Sequence, residues 1–220
     1  MKHKIVIIIL SLFFAVACSE NSTETQTDNF SFSFAVDNSL PKSAANDISL
    51  TSVKILVRDL KLKYLASEDT SNVRTGIFVV DLNIDGEVTE VSRLNISQGT
   101  YESAKFEIHK LEPTEELPDS DFVGDKSSYS VIVKGTYQGT EFVYKSQKSA
   151  HQHVKFDEPI EITDGDELNV SLVVDPNSWF QKDGQTLNPM DVQNENDIDN
   201  IIKDSFIRAF RDRNRDGMPD

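Results

Sequence analysis

Hydrophobic and polar residues alternate through most of the chain from Phe30 onward, and this period of two predicts β-strands. The predicted strands are 30–36, 53–65, 77–82, 88–94, 101–110, 129–137, 140–145, 153–162 and 168–174. Gln138-Gly139 predicts a two-residue hairpin turn, and Asp85-Gly86 and Asp164-Gly165 mark two more turns. Because no helical pattern separates the strands, residues 30–175 are predicted to form a mainly β domain. We expect an antiparallel β-sandwich of the immunoglobulin-like or transthyretin-like kind.

The alternation slips in phase within 53–65 (VKILVRDLKLKYL). Apolar residues up to Val57 lie on one face of a regular strand, whereas those from Leu60 onward lie on the other. A bulge would return both sets to one core face, so we predict a bulge near Arg58-Asp59.

The hydrophobic period becomes helical in Asn196–Arg211. One face of this segment is apolar and consists of Ile198, Ile201, Ile202, Phe206, Ala209 and Phe210. We predict one C-terminal amphipathic helix over this range, with Asn196 as its N-cap and Arg208 and Arg211 in its last turn. Residues 176–195 are predicted to link the sandwich to the helix. Their Trp179-Phe180 pair is interpreted as a core plug or helix-docking element.

Residues 111–128 interrupt the strand pattern with two prolines and six acidic residues. They predict a long acidic loop between two strands. Two interpretations stay open, a solvated insertion of no consequence and a mobile loop with a function.

The N-terminal residues have the pattern of a processed targeting segment. Lys2 and Lys4 precede an apolar run that is about half of the ~20 residues needed by a membrane-spanning helix. The run ends in Ala15-Val16-Ala17 before Cys18, which resembles a bacterial lipobox, where the Cys is diacylated and becomes the mature N-terminus. We predict a lipoprotein signal peptide at 1–17, a lipid anchor on Cys18 and a flexible tether at 18–29. The alternative is an ordinary secretory signal that ends near a Cys.

The charge of the chain is strongly acidic. Its 220 residues include 22 Lys+Arg and 37 Asp+Glu, a formal net charge of −15 at pH 7. Removal of 1–17, which hold two Lys and no acidic residue, leaves 20 basic against 37 acidic residues, a net charge of −17. A nucleic-acid partner is excluded because phosphate contacts need a basic surface. The single Cys excludes a disulfide framework.

The last nine residues contain a calcium-loop motif, DxNxDGxxD. Its candidate ligands are Asp212, Asn214, Asp216 and Asp220 through their side chains and Met218 through its carbonyl. The run resembles calcium loops of the EF-hand, dockerin and thrombospondin type 3 kind. The chain stops before the acidic residue that completes an EF-hand loop, so we predict weak calcium binding in a C-terminal segment, 196–220, of helix and tail. The alternative is a frayed terminal tail.

Histidines give a weaker metal signal. His151 and His153 are two residues apart and point the same way in a strand, about 7 Å from each other. They can share a metal only with a third ligand, so surface histidines are the favoured interpretation. His109 is predicted on the polar face of strand 101–110. No GxSxG, HExxH, GxGxxG or P-loop run is present in the sequence, so we expect no enzyme and no cofactor apart from calcium.

Several segments resemble a family of bacterial lipoproteins built on one all-β domain of unknown function. They are the lipobox, FSFAV, VKILVRDLKL, IFVVDL, the Gly99-Thr100-Tyr101 step and LNVSLVVDPNSWF. The resemblance covers residues 30–180 and implies a fold and an envelope location. Ser19 stands where some bacteria use Asp for inner-membrane retention, which favours the outer membrane. We expect a non-enzymatic binding or structural module that faces an envelope protein or a glycan. The alternative is a lipoprotein that captures a metal or a small ligand.

Overall fold

The computed structural model describes residues 28–37, 47–70, 75–116, 118–163, 165–206 and 208–220. The predicted signal peptide, Cys18 and tether residues 18–27 lie outside the described residues. Among those described, no helix is long and apolar enough to cross a bilayer.

The chain is mainly β, as the alternation predicts, with one α-helix among the described residues. The strands are β1 (Phe30–Val36), β2 (Ile48–Tyr64), β3 (Phe78–Leu82), β4 (Thr89–Leu94), β5 (Gly99–Ile108), β6 (Val131–Tyr137), β7 (Thr140–Ser146), β8 (Ala150–Ile162), β9 (Leu168–Val174), β10 (Gln181–Lys182), β11 (Gln185–Thr186) and β12 (Arg208–Arg211). The helix is α1 (Glu195–Asp204). Short 3₁₀ helices cover Ser120–Phe122, Pro176–Phe180 and Val192–Asn194.

The arrangement of the strands differs from the predicted antiparallel sandwich. One mixed sheet follows the order β4-β1-β9-β12-β8-β5-β2-β6-β7, with β3 paired to β2 beside this path. β1 runs parallel to β9, and β12 runs parallel to β8. The sheet curls around one core because apolar side chains from nearly all its strands meet in a single cluster.

The long strand β2 contains the predicted bulge. Its register with β5 shifts between Arg58 and Lys61, and Asp59 has a φ of 57°. Val57 and Leu60 are both fully buried in the same core cluster, so the bulge returns the two halves of the strand to one face. The predicted Gln138-Gly139 turn is also confirmed, since φ is 48° and 79° at these residues, as a type I′ turn requires.

The C-terminal helix is shorter than predicted. Asn194 is its N-cap in place of Asn196, and Ser205 is its C-cap. The Ser205 hydroxyl donates to the carbonyl of Ile202 (2.7 Å), which ends the helix before the predicted last turn. Arg208 and Arg211 therefore lie in a strand, β12, between β8 and β9. Ile198, Ile202 and Phe206 are buried as predicted.

Residues 176–195, predicted to be a linker, contain two 3₁₀ helices and the β10–β11 hairpin. Trp179 and Phe180 are fully buried, which confirms that the pair plugs the core. The indole Nε1 of Trp179 donates to Ser205 Oγ (2.8 Å), so the same residue also docks the end of α1. A buried indole needs such a partner for its N–H.

The acidic loop 111–128 packs on the sheet. Its Phe122 is fully buried in a second small cluster with Leu56 and Ile132. Its carboxylates pair with cations of β2, and Asp119 lies 2.7 Å from Lys54 Nζ. Part of the loop is therefore docked on the sheet, while residues such as Glu112, Glu116 and Asp125 are exposed, and a function of the loop stays a prediction.

Candidate functional site

A cavity of about 490 Å³ lies between α1, the end of β9 and the 3₁₀ helix Pro176–Phe180. We call it the helix cleft. Two features of the fold place it there. β9 ends at Val174, where the chain turns into the 3₁₀ helix, and the buried Trp179 holds α1 above this turn through Ser205. Ser205 itself lines the cleft.

The walls of the cleft are largely apolar. Val173 and Val174 come from β9, and Ile201 comes from the outward side of α1. Val173 and Ile201 are only half-buried, so apolar surface is available for contact with a ligand. Burial of such surface contributes about 25 cal/mol per Å².

The rim of the cleft carries an excess of negative charge. Four aspartates and two cations line it, namely Asp37, Asp175, Asp197, Asp204, Lys182 and Arg208. Lys182 pairs with Asp197 (2.7 Å), and Arg208 pairs with Asp157 outside the cleft (3.0 Å). The lining of the cleft therefore holds two more carboxylates than cations.

Asp175 is the most constrained of these carboxylates. It caps the 3₁₀ helix, since its Oδ1 accepts from the backbone N–H of Asn177 (3.0 Å). Burial raises the pKa of Asp175 above its usual 3.8, and the nearby Asp37 raises it further by like-charge repulsion. A bound cation would relieve both effects, because it stabilises the charged form. The cleft is thus suited to an organic cation with an apolar body.

The predicted calcium ligands already form hydrogen bonds or ion pairs with other groups of the protein. Asp212 is fully buried, and its Oδ2 accepts from Ser171 Oγ (2.5 Å) and from the N–H of Gly217 (3.1 Å). Its Oδ1 accepts from the N–H of Asp216 (3.0 Å). Asp212 therefore fastens the tail to β9, and the tail is ordered by these bonds.

The other tail residues point to separate partners. Asp220 Oδ2 accepts from Arg211 Nε (3.0 Å), and Asn214 Nδ2 donates to Asp216 Oδ2 (2.8 Å). Met218 is exposed, and its N–H donates to Asp216 Oδ1 (2.9 Å). Within the described ranges, no three Asp, Glu, His or Cys side chains are grouped so that they could hold a metal ion.

His151 and His153 both lie exposed on the outer face of β8, as surface histidines are predicted to. His153 Nε2 is 2.8 Å from Ser103 Oγ. Burial lowers the pKa of His153 below its usual 6.5, and the positive charges of Lys105 and Lys63 lower it further.

His109, in contrast, is not on an open polar face. It is 2% exposed, and its Nε2 lies 2.6 Å from Glu115 Oε2 in the loop that covers it. Arg58 binds both Glu115 (3.0 Å) and Glu107 (2.6 Å), which completes a partly buried polar network. The sequence shows an acidic loop directly after the strand that contains His109. It does not show that this loop docks over His109, because the docking depends on Arg58 of β2, which is distant in sequence.

Comparisons with known proteins give one distant likeness. No family model matches the chain, and no curated protein matches it. The solved structure of MbnP from Methylosinus trichosporium is similar over 70% of this chain and 75% of that chain, with 8% sequence identity and a TM-score of 0.37. A likeness this weak transfers neither fold nor function. Membership of the lipoprotein family stays a prediction.

Proposed function

We propose that this chain is a lipid-anchored, non-enzymatic binding module of the bacterial cell envelope whose helix cleft binds a small organic cation. The observation that carries the proposal is the joint presence, in one cavity, of an apolar wall and an excess of carboxylates that includes Asp175. An amino group on an envelope glycan or on a protein side chain has the required charge.

The proposed location is supported by the sequence. The lipobox pattern that ends in Cys18 provides the anchor, and Ser19 favours the outer membrane. The proposed absence of enzyme activity is supported by the partners of the candidate groups. Asp175 caps a 3₁₀ helix, and Ser205 holds a helix end, so both are engaged in structure.

Fluorescence of Trp179, the single Trp of the chain, tests the proposal. The mature protein is titrated with phenethylammonium and, separately, with the uncharged 2-phenylethanol. We expect the charged probe to bind roughly tenfold more tightly, because it pairs with carboxylates in a partly dehydrated cleft. Asp175→Asn keeps the helix cap and should remove most of this preference.

Asp191→Asn is the matched control. Asp191 caps the next 3₁₀ helix in the same way, through the N–H of Gln193 (2.9 Å), but lies outside the cleft. Equal affinity for the charged and neutral probes, or an equal effect of both substitutions, would contradict the proposal.

Weak calcium binding at the tail stays an alternative prediction. Asn214 and Asp216 are exposed and could exchange their protein partners for the ion, whereas Asp220 would have to release Arg211 and Asp212 would have to give up buried hydrogen bonds. Calorimetry at millimolar calcium tests this prediction by comparing the wild type with Asp216→Ala. If the tail binds calcium, the heat of binding should be smaller for Asp216→Ala; equal heats, or none from either protein, would contradict the prediction.

A further inference from the structure

A band of positive charge crosses the outer face of this acidic protein. Lys61 of β2 lies directly opposite Lys105 of β5, and Lys105 lies directly opposite His153 of β8. The next row along the same face is Lys63, Ser103 and Lys155. Directly opposed residues share a sheet face, and the alternate residues Leu62, Ala104 and Val154 are buried in the core. The register of three strands therefore collects four lysines on one surface.

The direct opposition of Lys61 and Lys105 is electrostatically unfavourable for the sheet. Like charges that face each other across two strands destabilise a sheet. Lys63 pairs with Glu102 (3.1 Å) and with Glu68 (3.4 Å), but the described part of the chain provides no ion pair to Lys61, Lys105 or Lys155. Asp59 and Glu107 are the other acidic groups beside the band, and Glu107 is already bound by Arg58 (2.6 Å). Among the described residues, the opposed Lys61 and Lys105 thus have no carboxylate within ion-pair distance.

A groove of about 380 Å³ lies within this band. Lys61, Lys105, His151 and His153 line it together with the carboxylates Asp59 and Glu107. His153 is held in place by its contact with Ser103 Oγ (2.8 Å). Two ammonium groups and two imidazoles supply N–H donors around one small space. Those are the donors that bind an oxyanion with several acceptor oxygens and more than one negative charge.

We propose that the groove between Lys61, Lys105, His151 and His153 binds a phosphate group. The phosphate removes the repulsion between the two opposed lysines, and its oxygens accept from the ammonium groups and from the imidazole N–H groups. The groove lies on the outer face of β2, β5 and β8, whereas the helix cleft lies beside β9 and α1, so the two sites share no residue. A phosphate can come from a soluble phosphorylated compound or from a lipid headgroup, and the experiment separates the two sources.

The test uses the mature chain with Cys18→Ser, so that no acyl chain contributes to binding. One arm titrates pyrophosphate and follows the imidazole proton signals by NMR. The signals of His151 and His153 should shift, whereas the buried His109 should not and is the internal reference. The second arm measures binding to vesicles of phosphatidylglycerol, with phosphatidylcholine vesicles for comparison.

Lys105→Gln and, separately, Lys61→Gln should each weaken binding roughly tenfold, because each removes one charge-assisted hydrogen bond. Lys126→Gln makes the same change of net charge at an exposed lysine of the acidic loop and should leave affinity unchanged. Circular dichroism verifies that each variant is folded. Pyrophosphate binding alone would assign a soluble ligand, and binding to phosphatidylglycerol vesicles would assign a headgroup. Absence of binding in both arms, or equal binding by Lys105→Gln and the wild type, would overturn the proposal.

Discussion

Asp212 fixes the C-terminal tail of this fold, and it shows how a sequence motif alone can misjudge the role of a residue. In the sequence it is the first residue of a calcium-loop motif, and an exposed oxygen ligand is the natural interpretation. In the structure it is fully buried and accepts hydrogen bonds from Ser171 and from two backbone N–H groups of the tail. Ser171 is itself a buried polar position of β9, so the motif could be seen in the sequence, but its partner could not.

Asp212→Ala should therefore destabilise the protein by about 3 kcal/mol, since it leaves a buried hydroxyl and two amides without their acceptor. Asp216→Ala changes an exposed residue of the same tail and should cost only about 0.5 kcal/mol. Urea denaturation measures both free energies of unfolding. Equal small losses would show that the tail is not fastened to β9.

The Lys54–Asp119 pair should make stability depend on pH. Hydrogen bonding to Lys54 lowers the pKa of Asp119 below its usual 3.8, and the N–H of Asp121 lowers it further, against the effect of burial. A carboxyl whose pKa is lower in the folded protein stabilises above pH 3.8 and loses that contribution as pH falls through the folded value. The pair therefore stabilises the docked acidic loop at neutral pH.

Lys54→Met should reduce the free energy of unfolding by about 1 kcal/mol at neutral pH, and the difference from the wild type should shrink as Asp119 is protonated. Lys126→Met, at an exposed lysine of the acidic loop, is the control. A loss that is identical at neutral and acid pH would mean that packing of the lysine stem, and not its charge, is responsible.

At the scale of elements, the sequence predicts what is local and misses what is long-range. The strand pattern, the Gln138-Gly139 turn and the bulge at Arg58-Asp59 follow from neighbouring residues and are present. β12 was predicted as the end of a helix, because RAFR continues the apolar spacing of the preceding segment. Its strand conformation depends on the free edges of β8 and β9, which are distant in sequence.

β12 joins the two parts of the sheet, so its removal should affect the entire fold. A chain that ends at residue 207 retains Ser205 and Phe206 but leaves β8 and β9 with unpaired edges where β12 lay. We expect it to lose cooperative thermal unfolding or to aggregate, measured by circular dichroism and size-exclusion chromatography. A chain that ends at Met218 keeps β12 and should unfold close to the wild-type midpoint. If the shorter chain did so as well, β12 would be an accessory strand.

At the scale of the molecule, charge is distributed unevenly over the surface. The helix cleft has an excess of aspartates, whereas two directly opposed lysines, Lys61 and Lys105, line the groove on the outer face of β2, β5 and β8. The net charge of −15 gives no information about these local differences in charge. Because the net charge of the domain is negative, it cannot give the domain an affinity for an anionic membrane.

Membrane attachment should therefore depend on the predicted lipid on Cys18. The predicted mature chain has 20 basic and 37 acidic residues and would be repelled by an anionic leaflet, whereas each buried acyl CH₂ contributes about 0.8 kcal/mol. The wild type should stay in the membrane fraction at about 1 M salt, where the Debye length is only about 3 Å, and should require detergent for release. Its intact mass should exceed that of residues 18–220 by a diacylglyceryl group and an N-acyl chain.

Cys18→Ser should abolish both the salt-resistant membrane attachment and the added mass, while Lys105→Gln should keep them. A Cys18→Ser protein that is fully processed and still bound to membranes at high salt would refute the lipid anchor.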